Sequence, residues 1–214
     1  MILTGDDRST RIALDPELAE HLGIGQESGM SEPALRRRLA HDGIPLHDPD
    51  FLFYFPAVPA QIPPSGPAHV TRRLSQAHRE TFEAFCAQAT EQDLEDASVE
   101  LDHWPAFGSF EGGRLVSAAS ISPWDGAPIA DLGVLTMPGA RGRGHARAVV
   151  RAISRFAREQ GFEPQYRCQV DNSVSVALAM SSGLDTRPEA RRSASVHPTD
   201  VNLRCSRLPQ VNAG

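Results

Sequence analysis

One run of residues constrains the fold more than any other part of the chain. Residues 131–146 read Asp-Leu-Gly-Val-Leu-Thr-Met-Pro-Gly-Ala-Arg-Gly-Arg-Gly-His-Ala. This is an apolar stretch typical of a strand, a Pro-Gly turn, a glycine-rich loop and the start of an amphipathic helix. A strand that leads through such a loop into a helix N-terminus gathers backbone N–H groups with positive partial charge. The pattern therefore predicts a phosphate-binding site.

The residues present exclude two common phosphate-binding loops. A Walker A loop needs a lysine after its glycines, and the chain contains no lysine, since all 21 basic residues are arginine. A Rossmann fingerprint needs a third glycine, but Arg147 stands at that position.

The loop instead matches the pattern Arg/Gln-x-x-Gly-x-Gly/Ala at Arg141, Gly144 and Ala146. In this it resembles the acetyl-CoA loop of the GNAT family of N-acetyltransferases. A second element of that family follows in the right order: an asparagine, a small residue three positions later, a short helix and a Gly-Leu ending. Here it comprises Asn172, Ser175 and Gly183-Leu184.

The resemblance implies an α/β (α+β) fold, with a mixed, mostly antiparallel central sheet flanked by helices. We expect this domain at residues 69–214. An N-terminal extension, residues 1–68, should hold two short helices, one strand at 51–55 and a proline-rich linker at 56–68. The strands expected in the domain are 69–73, 106–110, 114–122, 129–136, 166–171, 192–197 and 201–205.

Acetyl-CoA is the acyl donor that the resemblance implies. The central strand, Ile129 to Thr136, would part from its neighbour so that its backbone can pair with the pantetheine arm; the alternative is a plain buried strand. The residues expected to bind the donor are Val134, Leu135, Thr136, Arg141, Gly142, Arg143, Gly144, His145, Ala146, Asn172 and Ser175.

Several of these side chains have an alternative role. The His145 side chain is expected to face solvent, because backbone groups do the binding there. Arg143 and Arg147 either reach the 3′-phosphate of the nucleotide or belong to a solvated face of the helix. Asn172 either bonds the pantetheine amides or caps the following helix.

The catalytic groups are less determined. The family's oxyanion donor is a backbone N–H of the central strand, here assigned to Val134. The candidates for the base are Asp131, Glu111, Asp102 and His103. Many members carry a tyrosine seven residues after the asparagine to protonate the departing thiolate, but this chain has Ala179 there. A water, Ser175 or Ser181 would then act, or the thiolate would leave unaided.

Composition limits the remaining possibilities. No apolar run approaches the ~20 residues that span a bilayer, and no signal pattern opens the chain, so we expect a cytoplasmic protein. The three cysteines (Cys86, Cys168 and Cys205) show neither a disulfide framework nor metal-ligand spacing. A net charge of −6 disfavours a nucleic-acid partner. The N-terminal extension also allows a homodimer.

The resulting hypothesis is an acetyl-CoA-dependent N-acetyltransferase. It would transfer acetyl to a primary amine of a small molecule or peptide by direct attack in a ternary complex. Acidic residues of 91–102 would attract the protonated amine, or they form a solvated helix face. Because Ala179 replaces the usual tyrosine, a catalytically weak acyl-CoA-binding sensor is the alternative. A nucleic-acid binder that uses the arginine stripe is a more distant one.

Overall fold

The computed structural model describes residues 2–4, 10–12, 14, 16–25, 30–44, 49–56, 69–124, 126–186 and 192–194. Contacts divide the chain into two compact units, residues 1–52 with 186–214 and residues 53–185. The division between an extension at 1–68 and a domain at 69–214 stays a prediction. The predicted linker residues 57–68 and the predicted strand 201–205 lie outside the described residues.

The described residues form ten strands and six α-helices. The strands are β1 Ile2–Thr4, β2 Thr10–Ile12, β3 Asp50–Tyr54, β4 Val70–Arg73, β5 Ala106–Glu111, β6 Arg114–Pro123, β7 Ile129–Thr136, β8 Glu163–Gln169, β9 Asp185–Thr186 and β10 Arg192–Ala194. The helices are α1 Pro16–His21, α2 Glu32–His41, α3 Arg79–Cys86, α4 Glu91–Ala97, α5 His145–Glu159 and α6 Ser173–Ser182. Short 3₁₀ helices cover Gln76–His78 and Pro138–Ala140.

The unit that holds the N-terminus is a small sheet with two helices. β1 pairs antiparallel with both β2 and β10, and β10 pairs antiparallel with the start of β3. The helices α1 and α2 share an apolar core of leucines and Ile44. Both helices end where glycine adopts positive φ, at Gly23 and Gly43, because a left-handed residue after a helix costs glycine little. The two predicted helices of this segment are thus confirmed.

The other unit contains a five-strand sheet in the order β8-β7-β6-β5-β4. All its pairs are antiparallel except β7 with β8, which is parallel. Gly112 and Gly113 adopt positive φ in the β5–β6 turn, as the predicted hairpin requires. The parallel pair follows from α5, because a crossover helix returns the chain to the same edge in the same direction. The predicted mixed, mostly antiparallel sheet flanked by helices is confirmed.

Helices cover both faces of this sheet. On one face, Phe82 and Phe85 of α3 pack in a core with Leu135 of β7. On the other face, Phe107 of β5 contacts Phe156 of α5. Buried residues of α5 recur at helical spacing, as its amphipathic sequence predicts. The sheet therefore lies between two helical layers.

Two predicted boundaries differ from the structure. The strand predicted at 166–171 is β8, Glu163–Gln169, because its parallel pairing with β7 begins at Glu163. Pro164 is the second residue of this strand, a position where proline is tolerated. Of the predicted closing strand 192–197, β10 covers Arg192–Ala194, and the rest lies outside the described residues.

Candidate functional site

The two central strands of the larger sheet part along their length. β7 and β8 are paired from Ile129 with Glu163 to Leu132 with Tyr166, and the pairing ends there. β7 continues to Thr136, still paired with β6, and β8 continues to Gln169. The sheet therefore opens between the second halves of two parallel strands, as the sequence analysis expected of the central strand.

The hydrogen bonds of β7 show in which direction its backbone N–H and C=O groups point. The Met137 N–H donates to the Val116 carbonyl of β6 (3.0 Å), and the Ser117 hydroxyl of β6 donates to the Leu135 carbonyl (3.1 Å). The backbone N–H and C=O groups of odd-numbered β7 residues thus point toward β6, and those of even-numbered residues point away from it. Val134 therefore directs its N–H and C=O toward β8, just beyond the last β7–β8 pair.

Gly133, beside Val134, is a residue that the sequence analysis missed. A Cβ atom there would lie 2.1 Å from the Ala97 carbonyl oxygen and 3.0 Å from that of Ser98. Ser98 caps α4 in the left-handed conformation (φ 47°). The end of α4 thus packs directly against the β7 backbone, and only glycine permits this approach. The signal available in the sequence was a single glycine inside a strand pattern.

The glycine loop has the backbone that its sequence predicts. Gly142 and Gly144 adopt positive φ, 72° and 87°, and Gly144 is the residue before the first helical residue of α5. A Cβ at Gly142 would meet nothing within 4 Å. The first turn of a helix leaves backbone N–H groups without intrahelical acceptors, so the N-terminus of α5 presents an anion-binding surface.

The loop arginines already have partners. Arg141 donates through Nε to the Thr136 carbonyl (3.1 Å) and lies 3.4 Å from Asp93 of α4. Arg143 forms an ion pair with Glu111 in the β5–β6 turn. Glu111, one of the four candidate bases, is therefore located at the glycine loop. The Thr136 carbonyl, which also points away from β6, is occupied by Arg141.

The expectation that His145 faces solvent was wrong. Its side chain is 2% exposed, with Nδ1 2.9 Å from the Ser109 hydroxyl and its ring 4.1 Å from that of His69. Burial lowers the pKa of His145, and the nearby charges of His69 and Arg143 lower it further. The chain direction at the start of α5 turns this side chain into the sheet, which a loop motif cannot reveal.

Asn172 and Ser175 lie at the start of α6. Asn172 is its N-cap, with Oδ1 accepting from the Ser175 N–H (3.0 Å), so the capping alternative is present in the structure. Tyr166, the last β8 residue paired with β7, is 4% exposed. Burial raises the pKa of Tyr166 to about 12, against a smaller opposite effect of a side-chain hydrogen bond with Ser175. A protonated phenol thus lies on β8 where the strands part.

Asp131 belongs to a cluster of polar side chains one register pair before Tyr166, on the opposite face of the sheet. It accepts a hydrogen bond from Nε2 of Gln165 (2.6 Å) and pairs with Arg167 (3.5 Å). The Tyr54 hydroxyl donates to Oε1 of Gln165. Gln165 and Tyr54 are buried, whereas the Asp131 side chain is 28% exposed. Gln165 and Tyr54 were not singled out from the sequence.

The remaining candidate bases, His103 and Asp102, contact residues outside β7 and β8. His103 Nδ1 is 3.0 Å from the buried Ser120 hydroxyl, and its Nε2 is 3.6 Å from Glu100. Asp102 is bonded to Gln76 and lies 3.3 Å from Arg79. An open cleft of about 590 Å³ is lined by segment 73–76 together with Asp102 and His103. Asp131 alone among the four candidates contacts side chains of β8.

Two absences concern only the described part of the chain. No group of three or more His, Cys, Asp or Glu residues is arranged to hold a metal ion there. None of the helices in those residues is long and apolar enough to cross a membrane.

Comparison with solved structures shows the same fold. A GNAT-family protein from Novosphingobium aromaticivorans is 20% identical (TM-score 0.53); the match covers 71% of this chain and 63% of that one. A GNAT-family acetyltransferase from Colwellia psychrerythraea is 17% identical (TM-score 0.55), over 90% of this chain and 79% of that one. The chain thus spans less than two thirds of the first of these proteins. No curated protein matches the sequence.

The family is shown by the sequence itself. The profile described as "Acetyltransferase (GNAT) family" matches residues 72–183, just over half of the chain. The matched segment runs from β4 to the end of α6, and it includes the parted strands, the glycine loop and the Asn172 cap. The chain therefore belongs to the GNAT acetyltransferase family.

Proposed function

We propose that this protein transfers an acetyl group from acetyl-CoA to a primary amine of a small molecule or peptide, by direct attack in a ternary complex. One observation carries the proposal. β7 and β8 stop pairing after Leu132 and Tyr166. Beyond this point β7 continues to the glycine loop and α5. An open strand edge that ends at an anion-binding helix N-terminus fits an extended ligand with a diphosphate at one end.

The backbone of β7 and the loop divide the binding task. The N–H groups at the start of α5 are oriented to donate to diphosphate oxygens, and Gly142 leaves space for their approach. Val134 directs its N–H and C=O into the opening, where they can pair with the amide-containing arm. Its N–H is also the donor that we assign to the thioester oxygen when negative charge develops there.

Asp131 is our assignment for the base. The amine nitrogen attacks the thioester carbon, a C–N bond forms, the C–S bond breaks and the electron pair leaves on sulfur. The amine must lose protons on this path, and a carboxylate acting through water can accept them. Val134 lies three residues beyond Asp131, about 10 Å along the strand, a span that a short chain of water molecules can bridge.

Tyr166 is our assignment for the donor to the departing sulfur. Ala179 is buried and carries no acidic proton. The Tyr166 phenol, whose pKa burial raises to about 12, remains protonated at neutral pH, and β8 holds it at the point where the strands part. A coenzyme A thiol has the ordinary thiol pKa of about 8.5, so its thiolate needs only modest help.

The acceptor side carries negative charge. Glu91, Glu95 and Asp96 of α4 are exposed, and the end of this helix contacts β7 at Gly133. Clustered carboxylates raise the local concentration of a protonated amine. This charge supports an amine acceptor over an anionic one.

Calorimetry with acetyl-CoA and CoA tests the donor site. In Gly144→Val, a side chain would be forced onto a residue with φ of 87° and toward His69 Nε2, 3.2 Å from the Cβ position, so binding should be lost. Gly139→Ala, whose Cβ meets nothing within 4 Å, is the matched control and should bind as the wild type does. No heat with the wild type, or unchanged binding by Gly144→Val, would refute the assignment. Circular dichroism confirms that each variant is folded.

Ala179 favours a second candidate function, an acyl-CoA-binding module with little turnover. Thiol release, measured with a panel of amino acids, polyamines, aminoglycosides and peptides, separates the two. Release with one or more amines supports the enzyme. Tight CoA binding without release on any amine would support the binding module.

A further inference from the structure

We propose that Gln165 and Tyr54 are positioning residues, which hold the Asp131 carboxylate in the orientation that amine deprotonation requires. The inference rests on the proposed function, and it concerns two buried residues outside both sequence motifs. Tyr54 comes from the segment that the sequence analysis assigned to an N-terminal extension. It nevertheless belongs to the same compact unit as β7 and β8.

The three side chains form a directed series of hydrogen bonds. The Tyr54 hydroxyl donates to Gln165 Oε1, and Gln165 Nε2 donates to Asp131 Oδ1 over 2.6 Å. An ionised carboxylate only accepts, so the amide nitrogen must face Asp131 and the amide oxygen must face Tyr54. The phenol has one proton to donate, and it donates it to that oxygen. The Asp131 carboxylate therefore determines the orientation of the Gln165 amide, and Tyr54 holds the amide in place by donating to its oxygen.

Burial makes this arrangement specific. Gln165 is 3% exposed and Tyr54 is 7% exposed, so a reversed amide would place its buried oxygen against the Asp131 carboxylate, where neither group can donate. An unsatisfied buried polar group costs about 1–3 kcal/mol. On the other side, Arg167 lies 3.5 Å from Asp131 Oδ2. Oδ1 of Asp131 thus accepts a hydrogen bond from Gln165, and Oδ2 is paired with the Arg167 guanidinium.

The series lies at the point where the sheet opens. Asp131 and Gln165 are the register pair immediately before Leu132 and Tyr166, the last pair of the two strands. Arg167 is the first β8 residue past it. Because side chains alternate along a strand, Gln165 lies on the face opposite Tyr166. The two faces of the opening thus present different groups, a carboxylate on one and a phenol on the other.

The other candidate bases are held away from this point. Glu111 pairs with Arg143 at the glycine loop, Asp102 is bonded to Gln76 and Arg79, and His103 contacts Ser120 and Glu100 over β6. None of these partners belongs to β7 or β8. Asp131 is the candidate whose partners are β8 residues, one before and one after the last pair of the two strands.

The test is a double-mutant cycle with Asp131→Asn. Single variants are Gln165→Leu, Tyr54→Phe and Asp131→Asn, and each of the first two is also combined with the third. Gln88→Leu is the matched control, because its amide also holds two side-chain hydrogen bonds, to the Ala84 carbonyl and from Arg114, away from the opening. The readouts are kcat with the best amine of the panel, the Kd of CoA and the Tm.

We expect Asp131→Asn to lower kcat by about 10²- to 10⁴-fold, the usual contribution of a base. Gln165→Leu should lower it by about 10- to 100-fold, since it removes a hydrogen bond to a charged group. Tyr54→Phe should lower it by about 3- to 10-fold, the usual effect of a neutral bond. The Kd of CoA should stay within about 2-fold in all three, and Gln88→Leu should retain its kcat. In the Asp131→Asn background, neither change should lower kcat further by more than about 2-fold.

Three results would overturn the inference. They are an unchanged kcat in Gln165→Leu and Tyr54→Phe, an equal loss in the Asp131→Asn background, and an unchanged kcat in Asp131→Asn itself. The second would mean that the two residues only stabilise the fold, and it would be accompanied by a weaker Kd for CoA. Failure of the proposed function is a different observation, because it is the absence of CoA binding or of amine-dependent thiol release by the wild type.

Discussion

Gly133→Ala is the most direct test of how the end of α4 meets β7. The new methyl group would lie 2.1 Å from the Ala97 carbonyl oxygen, with the Ser98 carbonyl carbon at 3.2 Å and its oxygen at 3.0 Å. These are backbone atoms at the left-handed end of α4, so no side-chain rotation can relieve the contact. Either α4 withdraws or β7 shifts.

The size of the effect follows from this geometry. A carbon–oxygen contact needs about 3.2–3.5 Å, so the end of α4 must move by roughly 1 Å or more. Overpacking of this kind costs about 1–3 kcal/mol. For a chain of this size each kcal/mol lowers Tm by about 2–4 °C, so we expect Tm to fall by about 2–12 °C.

Differential scanning calorimetry measures the change, and Gly139→Ala is the control. Gly139 lies in the 3₁₀ helix before the loop, and a Cβ there meets nothing within 4 Å. Replacing a glycine at such a site stabilises by up to about 1 kcal/mol, so its Tm should equal or exceed that of the wild type. A Gly133→Ala protein with the Tm of Gly139→Ala would refute the proposed contact between α4 and β7.

Three further predictions follow from the site. Glu111→Gln removes the carboxylate that pairs with Arg143; because exposed pairs contribute up to about 1 kcal/mol, calorimetry should show CoA binding tightened by up to about 5-fold, more at low salt, and weaker binding would contradict it. Burial, and then the charges of His69 and Arg143, lower the pKa of His145 from 6.5, so the histidine binds a proton more readily in the unfolded chain than in the folded one. The urea midpoint of unfolding should therefore fall as pH drops below 6.5 toward the lowered pKa. This decline should be shallower in His145→Gln, and identical slopes in the two proteins would argue against the prediction. Tyr166→Phe should lower kcat at least about 10-fold with little change in the Kd of CoA, and an unchanged kcat would remove Tyr166 from the reaction.

Much of the fold could be predicted because its signals are local. β7 has the predicted bounds, Ile129–Thr136, since an apolar strand followed by a Pro-Gly turn leaves few alternatives. Thr90 caps α4 by accepting from the Asp93 N–H, a contact that needs only neighbouring residues. The glycine loop and the Asn172 cap were located for the same reason. The start of β8 was missed because parallel pairing with β7, rather than its own composition, determines where it begins.

The contacts of Asp131 and His145 were harder to predict, because they join residues far apart in the chain. Tyr54 and Gln165 read as an aromatic in a strand and a polar residue near a proline, and neither belongs to a motif. His145 has a polar side chain in a loop pattern, so it was expected outside. It is buried because α5 starts over β5, where the Ser109 hydroxyl offers a partner.

The amino-acid sequence on its own determined the strand, the glycine loop and the helix that follows it, and through them the family. These depend on periodicity and on glycine conformations within a few residues. Only the tertiary structure decided which carboxylate faces the opening, what holds it and how closely α4 approaches Gly133. Those features require strands separated by many residues to lie side by side, and a one-residue change of register would place Asp131 on the opposite face.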